Sequence, residues 1–271
     1  MSTSQNPIGI FDSGIGGLTV AHAVSKILPD EQIIYFGDTA HLPYGDKSKD
    51  AIKDFTDRVC SYFIGRGCKA MVVACNTASA YGFPHIEKLY GDKIQLLNVI
   101  DPMIALLSEN YNEANVGVIG TKGTINSRVY ARKVKQQSPG TKLSSQATPL
   151  LAPMIEEGYY NNYISKTIIN SYLDKKSFKN IEALILGCTH YPLIKKEIAE
   201  FYQREIQILD SSQITAKALK LLLESKGILS ESRVKEDEFF VSDYTSSFEH
   251  ATKQFFGKEI KLRKKKLNKL P

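Results

Sequence analysis

The chain has 271 residues, 42% of them hydrophobic and 24% charged, enough for a sizeable buried core and for two domains of ordinary size. Its formal net charge of +6 does not mark a nucleic-acid binder: Lys258 to Pro271 hold seven Lys/Arg and one Glu, and the remainder balances at 28 basic and 28 acidic residues. No apolar run approaches the ~18 residues of a membrane span, and Met1 to Pro7 lacks the basic-then-apolar order of a secretory signal, so a cytoplasmic protein without membrane contact is expected.

Short β-rich runs alternate with helical patterns along the whole chain, the signature of parallel sheets flanked by helices. The first strand, Ile8-Phe11, ends in Asp12-Ser13-Gly14-Ile15-Gly16-Gly17 before a helix over Leu18-Leu28. This loop matches neither the P-loop nor the dinucleotide spacing, but its glycines let backbone N–H groups approach an anion such as a carboxylate. A second strand, Ile33-Phe36, leads into Gly37-Asp38-Thr39-Ala40-His41-Leu42-Pro43-Tyr44-Gly45, where Asp38 suits a helix N-cap as well as a site.

A helix over Ser48-Ile64 carries Cys60, and Cys68 opens the strand Ala70-Ala74; both thiols read as packing residues. That strand ends in Cys75-Asn76-Thr77. After Leu96-Val99, Asp101-Pro102 marks a crossover, and Val116-Ile119 begins a second series ending in Gly120-Thr121. A helix over Asn161-Asp174 precedes Ala183-Leu186, which ends in Gly187-Cys188-Thr189-His190. Leu193-Tyr202, Ile206-Leu209, Ser212-Ser225 and Phe239-Val241 then alternate helix and strand. The last fourteen residues read as a solvated, partly disordered basic tail, with weak attraction to a polyanion as the alternative.

The chain repeats itself. Ile8-Gly9-Ile10-Phe11-Asp12-Ser13-Gly14 matches Val116 to Lys122 at an offset of 108, and Cys75 matches Cys188 at an offset of 113. We therefore expect an α/β fold of two similar domains, each a mostly parallel sheet flanked by helices, with the site in the cleft between them. The first domain takes residues 1–99 plus about 212–257, the second 100–211, and the basic tail 258–271.

Two thiols in equivalent strand-end settings point to a reaction that uses two similar groups on opposite sides of one substrate. Taking a proton from one face of a carbon and returning one to the other requires a thiolate and a thiol that exchange roles each turnover. A free thiol pKa near 8.5 means each needs local help to ionise. Asp12 near the first and His190 near the second are the candidates. A lone nucleophilic thiol with a His base would leave Cys75 idle. The Cys and His residues are too scattered for a structural zinc site, and no Schiff-base lysine with a phosphate cup stands out for pyridoxal phosphate.

Phe11-Asp12-Ser13-Gly14-Ile15-Gly16-Gly17-Leu18, Asp38-Thr39-Ala40 with Pro43-Tyr44-Gly45, Ala74-Cys75-Asn76-Thr77-Ala78-Ser79 and Gly187-Cys188-Thr189-His190-Tyr191-Pro192-Leu193 resemble, in order, the signature set of the bacterial glutamate racemase family. The resemblance implies a cofactor-independent enzyme that interconverts L- and D-glutamate and supplies D-glutamate for peptidoglycan. It implies that Cys75 takes the α-proton from D-glutamate and Cys188 from L-glutamate, with Asp12 and His190 assisting. Glu156 matches an acidic position on the Cys188 side, with Glu157 adjoining it. Asp12, Ser13, Pro43, Tyr44, Gly45, Asn76, Thr77, Thr121, Thr189 and His190 would bind substrate, and Asp38 would support the site from behind. No metal and no cofactor are expected, and a homodimer is. His41-Leu42 departs from the common Arg-Val, and the short segment before the first strand argues against regulation by a wall precursor. An aspartate racemase is the alternative within the class. A thiol hydrolase using Cys188 and His190, or a non-catalytic binding protein, is the alternative outside it.

Overall fold

The computed structural model describes residues 3–203 and 205–267. Its strands are β1 (Ile8–Asp12), β2 (Ile33–Gly37), β3 (Ala70–Val73), β4 (Gln95–Asn98), β5 (Asn115–Gly120), β6 (Lys142–Ala147), β7 (Ala183–Gly187), β8 (Gln207–Asp210), β9 (Glu238–Val241) and β10 (Arg263–Lys264). They form two sheets, β10-β9-β2-β1-β3-β4 and β6-β5-β7-β8. Every pairing is parallel. Strands β1, β2, β3 and β7 are buried at every residue, which is why they read as continuous apolar runs rather than as alternating ones.

The repeat in the sequence is a repeat in topology and in register. Strand order 2-1-3-4 in the first sheet corresponds to 6-5-7-8 in the second. Ile8 pairs with Ala70 and Phe11 with Val73; their counterparts Val116 and Ile119 pair with Ala183 and Leu186. In each sheet the chain steps to one side of its first strand, then crosses to the other, so a switch point opens between β1 and β3 and again between β5 and β7. Ligand sites of open parallel sheets form at the carboxyl ends of such strands. Cys75 and Cys188 follow β3 and β7 at these two places.

The helix Asp101–Asn110 carries the chain from one sheet to the other, where the sequence places a crossover. The helix Ser211–Ser225 packs back against Leu18–Ile27, and β9 then joins the first sheet beside β2. One apolar core runs through both sheets. A second fills the other face of the first sheet beneath the helix Lys49–Gly65. That helix buries Ile52, Thr56, Val59, Cys60 and Phe63 on one face and is capped by Ser48, whose hydroxyl accepts from the Ala51 N–H at 3.3 Å.

Two elements differ from expectation. Strand β6 lies at a sheet edge with no fully buried residue, so its sequence carries no apolar run. The residues read as a solvated tail instead enter the fold. Arg263–Lys264 pairs with β9, and Ile260 and Leu262 are buried in the core. Backbone pairing and two alternate apolar side chains hold this strand, while its charges face water; residues 268–271 lie outside the described residues. No helix among the described residues is long and apolar enough to cross a membrane.

Candidate active site

The carboxyl ends of both sheets converge on one cavity. Its walls include Ser13 after β1, Pro43, Tyr44 and Gly45 after β2, Cys75, Asn76 and Thr77 after β3, and Thr121 after β5. Cys188, Thr189 and His190 after β7 and Glu156 from the helix Leu151–Glu156 complete the polar lining. Of the catalytic and substrate-binding residues expected from the sequence, all but Asp12 stand in the wall. It is fully buried behind it, where Oδ2 accepts from the Gly14 N–H at 3.0 Å and Oδ1 from the Thr189 hydroxyl at 3.4 Å. The turn after β1 directs this carboxylate toward Gly14 and Thr189. Leu42, Ala152, Pro153 and Gly187 also line the cavity. Their apolar side chains, or lack of one, left no chemical signal in the sequence.

The two thiols sit in unequal surroundings. Cys188 Sγ lies 3.7 Å from His190 Nδ1, and Nε2 on the far side of the ring lies 2.8 Å from Glu156 Oε1. Nε2 makes no well-directed hydrogen bond among the described residues, so the Glu156 contact is one of charge rather than of a linear N–H···O. Burial disfavours the imidazolium, but Cys188 and Glu156 on either side outweigh it and hold the His190 pKa well above its ordinary 6.5. Of the two adjoining carboxylates it is Glu156 that reaches the ring, while Glu157 is exposed.

Cys75 faces the opposite field. Burial first, then the nearby Asp12 charge, push its thiol up to about 12, against smaller pulls from the Ala78 N–H and the Ser13 hydroxyl. The Ala78 N–H donates to Sγ at 3.4 Å, making Cys75 the cap of the helix Asn76–Tyr81. Burial also raises the Asp12 carboxyl, against the His190 charge and several hydrogen bonds.

The walls are bound to each other across the cleft. The Thr19 hydroxyl donates to the Thr189 carbonyl at 3.1 Å, and the Thr77 hydroxyl meets those of Thr121 and Thr124 at 2.8 and 3.1 Å. Gly16 lets the β1 loop press on the second half: a Cβ there would stand 2.5 Å from His190 Cε1. From the outer side the edge of Phe255 packs on the His190 ring at 5.3 Å. Behind the cavity Asp38 does not cap a helix through its side chain. Instead it accepts from the Tyr44 hydroxyl at 2.7 Å and the Ser242 hydroxyl at 2.7 Å, fixing Tyr44 at the wall. Cys60 and Cys68 are buried elsewhere, in the second core. Among the described residues no group of three or more His, Cys, Asp or Glu side chains is placed to hold a metal ion.

Two thiols in unequal surroundings, at equivalent strand ends, line one cavity, a geometry that a two-base proton transfer would use. Comparison with known proteins leads to the same class. The family model described as Asp/Glu/Hydantoin racemase matches residues 18–219. A glutamate racemase of Geobacter metallireducens is 37% identical over 254 residues, 93% of this chain and 93% of its own. The crystal structure of glutamate racemase from Francisella tularensis in complex with D-glutamate matches with a TM-score of 0.91 at 36% identity, covering 98% of this chain and 99% of that one. The Thermus thermophilus glutamate racemase, in complex with beta-chloro-D-alanine, matches with a TM-score of 0.87 at 33% identity over 98% of this chain and 99% of that one. The chain belongs to the Asp/Glu/Hydantoin racemase family, among its glutamate racemases.

Proposed function

We propose that this chain interconverts L- and D-glutamate without a cofactor, by two thiol bases acting on opposite faces of the α-carbon. The observation that carries the reading is that Cys75 and Cys188 line one cavity from equivalent strand ends, each with its own ionisable neighbour. In the L-to-D direction the Cys188 thiolate, beside the His190 imidazolium, removes the α-proton. The Cys75 thiol delivers its own proton to the other face. The product is D-glutamate, with Cys188 left as thiol and Cys75 as thiolate, and the reverse reaction starts from that state.

The surroundings fit these roles. A thiol held at about 12 is a proton donor at neutral pH, and ionising it unaided costs on the order of 7 kcal/mol. The substrate ammonium and Asp12 must offset this cost for D-glutamate to react. With Asp12 ionised Cys75 stays protonated; once Asp12 takes a proton, Cys75 is free to ionise, so Asp12 acts as a relay from behind the wall. Ser13, Pro43, Tyr44, Gly45, Asn76, Thr77, Thr121 and Thr189 form the cradle for the two carboxylates and the ammonium. In this reading residues 1–99 and about 212–257, joined by the strand at Arg263–Lys264, form one domain and 100–211 the other. The enzyme works as a cytoplasmic homodimer that supplies D-glutamate for peptidoglycan.

The test is incubation of the purified protein with each enantiomer of glutamate and of aspartate, following optical rotation. Rotation that decays to zero with glutamate and not with aspartate supports the reading; none with glutamate, in folded protein, overturns it. Cys75→Ser and Cys188→Ser must each abolish the activity. A thiol hydrolase working through Cys188 and His190 would instead keep its activity in Cys75→Ser.

A further inference from the structure

Asn76 stands next to Cys75, is 2% exposed and lines the cavity, yet its side-chain nitrogen Nδ2 has no hydrogen-bond partner among the described residues. Its oxygen does: the Tyr130 hydroxyl, itself buried, donates to Oδ1 at 2.8 Å. The two residues come from opposite sides of the cleft. Asn76 opens the helix after β3, while Tyr130 lies in the helix Val129–Gln137 between β5 and β6. Arg128 enters that helix in the left-handed region, at φ 55°, which sets the direction from which Tyr130 arrives.

This pairing decides which way the amide faces. Burial, reinforced by the Asp101 charge, pushes the Tyr130 phenol far up, so it remains a protonated donor. It has no other acceptor among the described residues. Turning the amide over would place NH₂ against O–H and leave the phenol proton unpaired in the interior. With the oxygen so occupied, the NH₂ of this cavity-lining residue is left as an unmet buried donor, available to a ligand oxygen. We infer that Tyr130 is a positioning residue: from the second half of the molecule it fixes the Asn76 amide as a donor to a substrate carboxylate. The inference rests on the reading that the cavity takes glutamate.

A carboxylate contact is present in ground state and transition state alike, so its loss falls on KM rather than kcat. Tyr130→Phe removes one oxygen and keeps the ring. The expected result is a KM for glutamate raised about 5- to 30-fold with kcat within about threefold. In an Asn76→Ala background the same substitution adds no more than about twofold. A KM unchanged in Tyr130→Phe, or an equal rise in both backgrounds, overturns the inference, the latter outcome marking a packing role only. In the wild-type protein the Asn76 side-chain ¹⁵N–¹H resonances, identified by their loss in Asn76→Ala, shift on titration with glutamate; resonances that stay in place overturn it whatever the variants do. If the wild type does not racemise glutamate the underlying reading fails, whereas an active wild type beside an unaffected Tyr130→Phe sinks this inference alone.

Discussion

Replacing Gly16 with alanine should damage one of the two bases and spare the other. The added Cβ would stand 2.5 Å from His190 Cε1, 2.6 Å from Nδ1 and 2.6 Å from Thr189 Oγ1, where ordinary contact begins at 3.4 Å. Something must therefore retreat by roughly 0.9 Å, the difference of those distances. The loop is held by the Tyr35 hydroxyl on the Gly14 carbonyl at 2.7 Å and by Asp12 on the Gly14 N–H at 3.0 Å, so the imidazole moves and its 3.7 Å contact with Cys188 is lost. Misplacing a catalytic group by about 1 Å can cost about 10²-fold. Enantiomers have equal free energy, so kcat/KM must fall by the same factor in both directions, about 10²-fold. The asymmetry appears in isotope effects. With the Cys188 step made limiting, α-deuterated L-glutamate shows an increased primary isotope effect, while α-deuterated D-glutamate, whose deuterium goes to Cys75, shows one closer to unity. Polarimetry with protiated and deuterated enantiomers measures all four rates. Equal isotope effects on both enantiomers, or wild-type activity, would refute the reasoning.

Three further outcomes follow from the same geometry. In the folded protein Cys188 and Glu156, against the opposing cost of burial, keep His190 protonated well above the 6.5 at which it titrates when unfolded. Its stabilisation is thus complete below pH 6.5 and is lost as pH rises toward the folded-state value. Urea unfolding across that window should show the wild type losing stability relative to His190→Asn, and a difference independent of pH would contradict this. Lys69 and Glu31 form a buried pair with Nζ–Oε2 at 2.6 Å, 2% and 1% exposed, just before β3 and β2 and so at the ends of the sheet away from the cavity. Lys69→Met should cost about 3–5 kcal/mol in stability by stranding the Glu31 carboxylate, with kcat unchanged; a loss below 1 kcal/mol would show the carboxylate is not stranded. A chain ending at Gly257 loses Ile260 and Leu262 from the core and should unfold at lower urea by about 3 kcal/mol or more, whereas an unchanged midpoint would mean the last strand is solvated.

The parts of the fold legible in the sequence are those whose side chains alone dictate the outcome. Strands β1, β3, β5 and β7 are largely apolar and buried, and their ends repeat Asp12-Ser13 as Gly120-Thr121 and Cys75 as Cys188. The repeat announces two similar units, and the structure extends it to strand order and register. Strand β6, Lys-Leu-Ser-Ser-Gln-Ala, is an edge held by its backbone bonds to β5, and hydrogen bonds made by main chain leave no mark on side-chain pattern. Arg263–Lys264 is the extreme case, since the last fourteen residues, half of them basic, read as a solvated end until β9 supplies a partner.

The chemistry of the site was legible because thiols, carboxylates and an imidazole are scarce at strand ends. What escaped was the geometry that ranks them. The turn that aims the Asp12 oxygens at Gly14 and Thr189 is set by backbone geometry that no side-chain pattern displays. Glu156 is assigned by resemblance, with Glu157 adjoining it, and it is the last turn of one short helix that brings Glu156 to the His190 ring. Tyr130 lies outside every motif, 54 positions from the Asn76 it holds, and only the packed cleft brings the two together.

The central claim is that two different thiols, not one, exchange protons with the α-carbon. It is tested most directly by running L-glutamate to low conversion in D₂O and measuring α-deuterium separately in product and in unreacted substrate. Two bases predict D-glutamate carrying solvent deuterium in essentially every molecule, beside L-glutamate that has taken up almost none. D-glutamate that keeps its original α-proton, or L-glutamate that exchanges as fast as product forms, would contradict it.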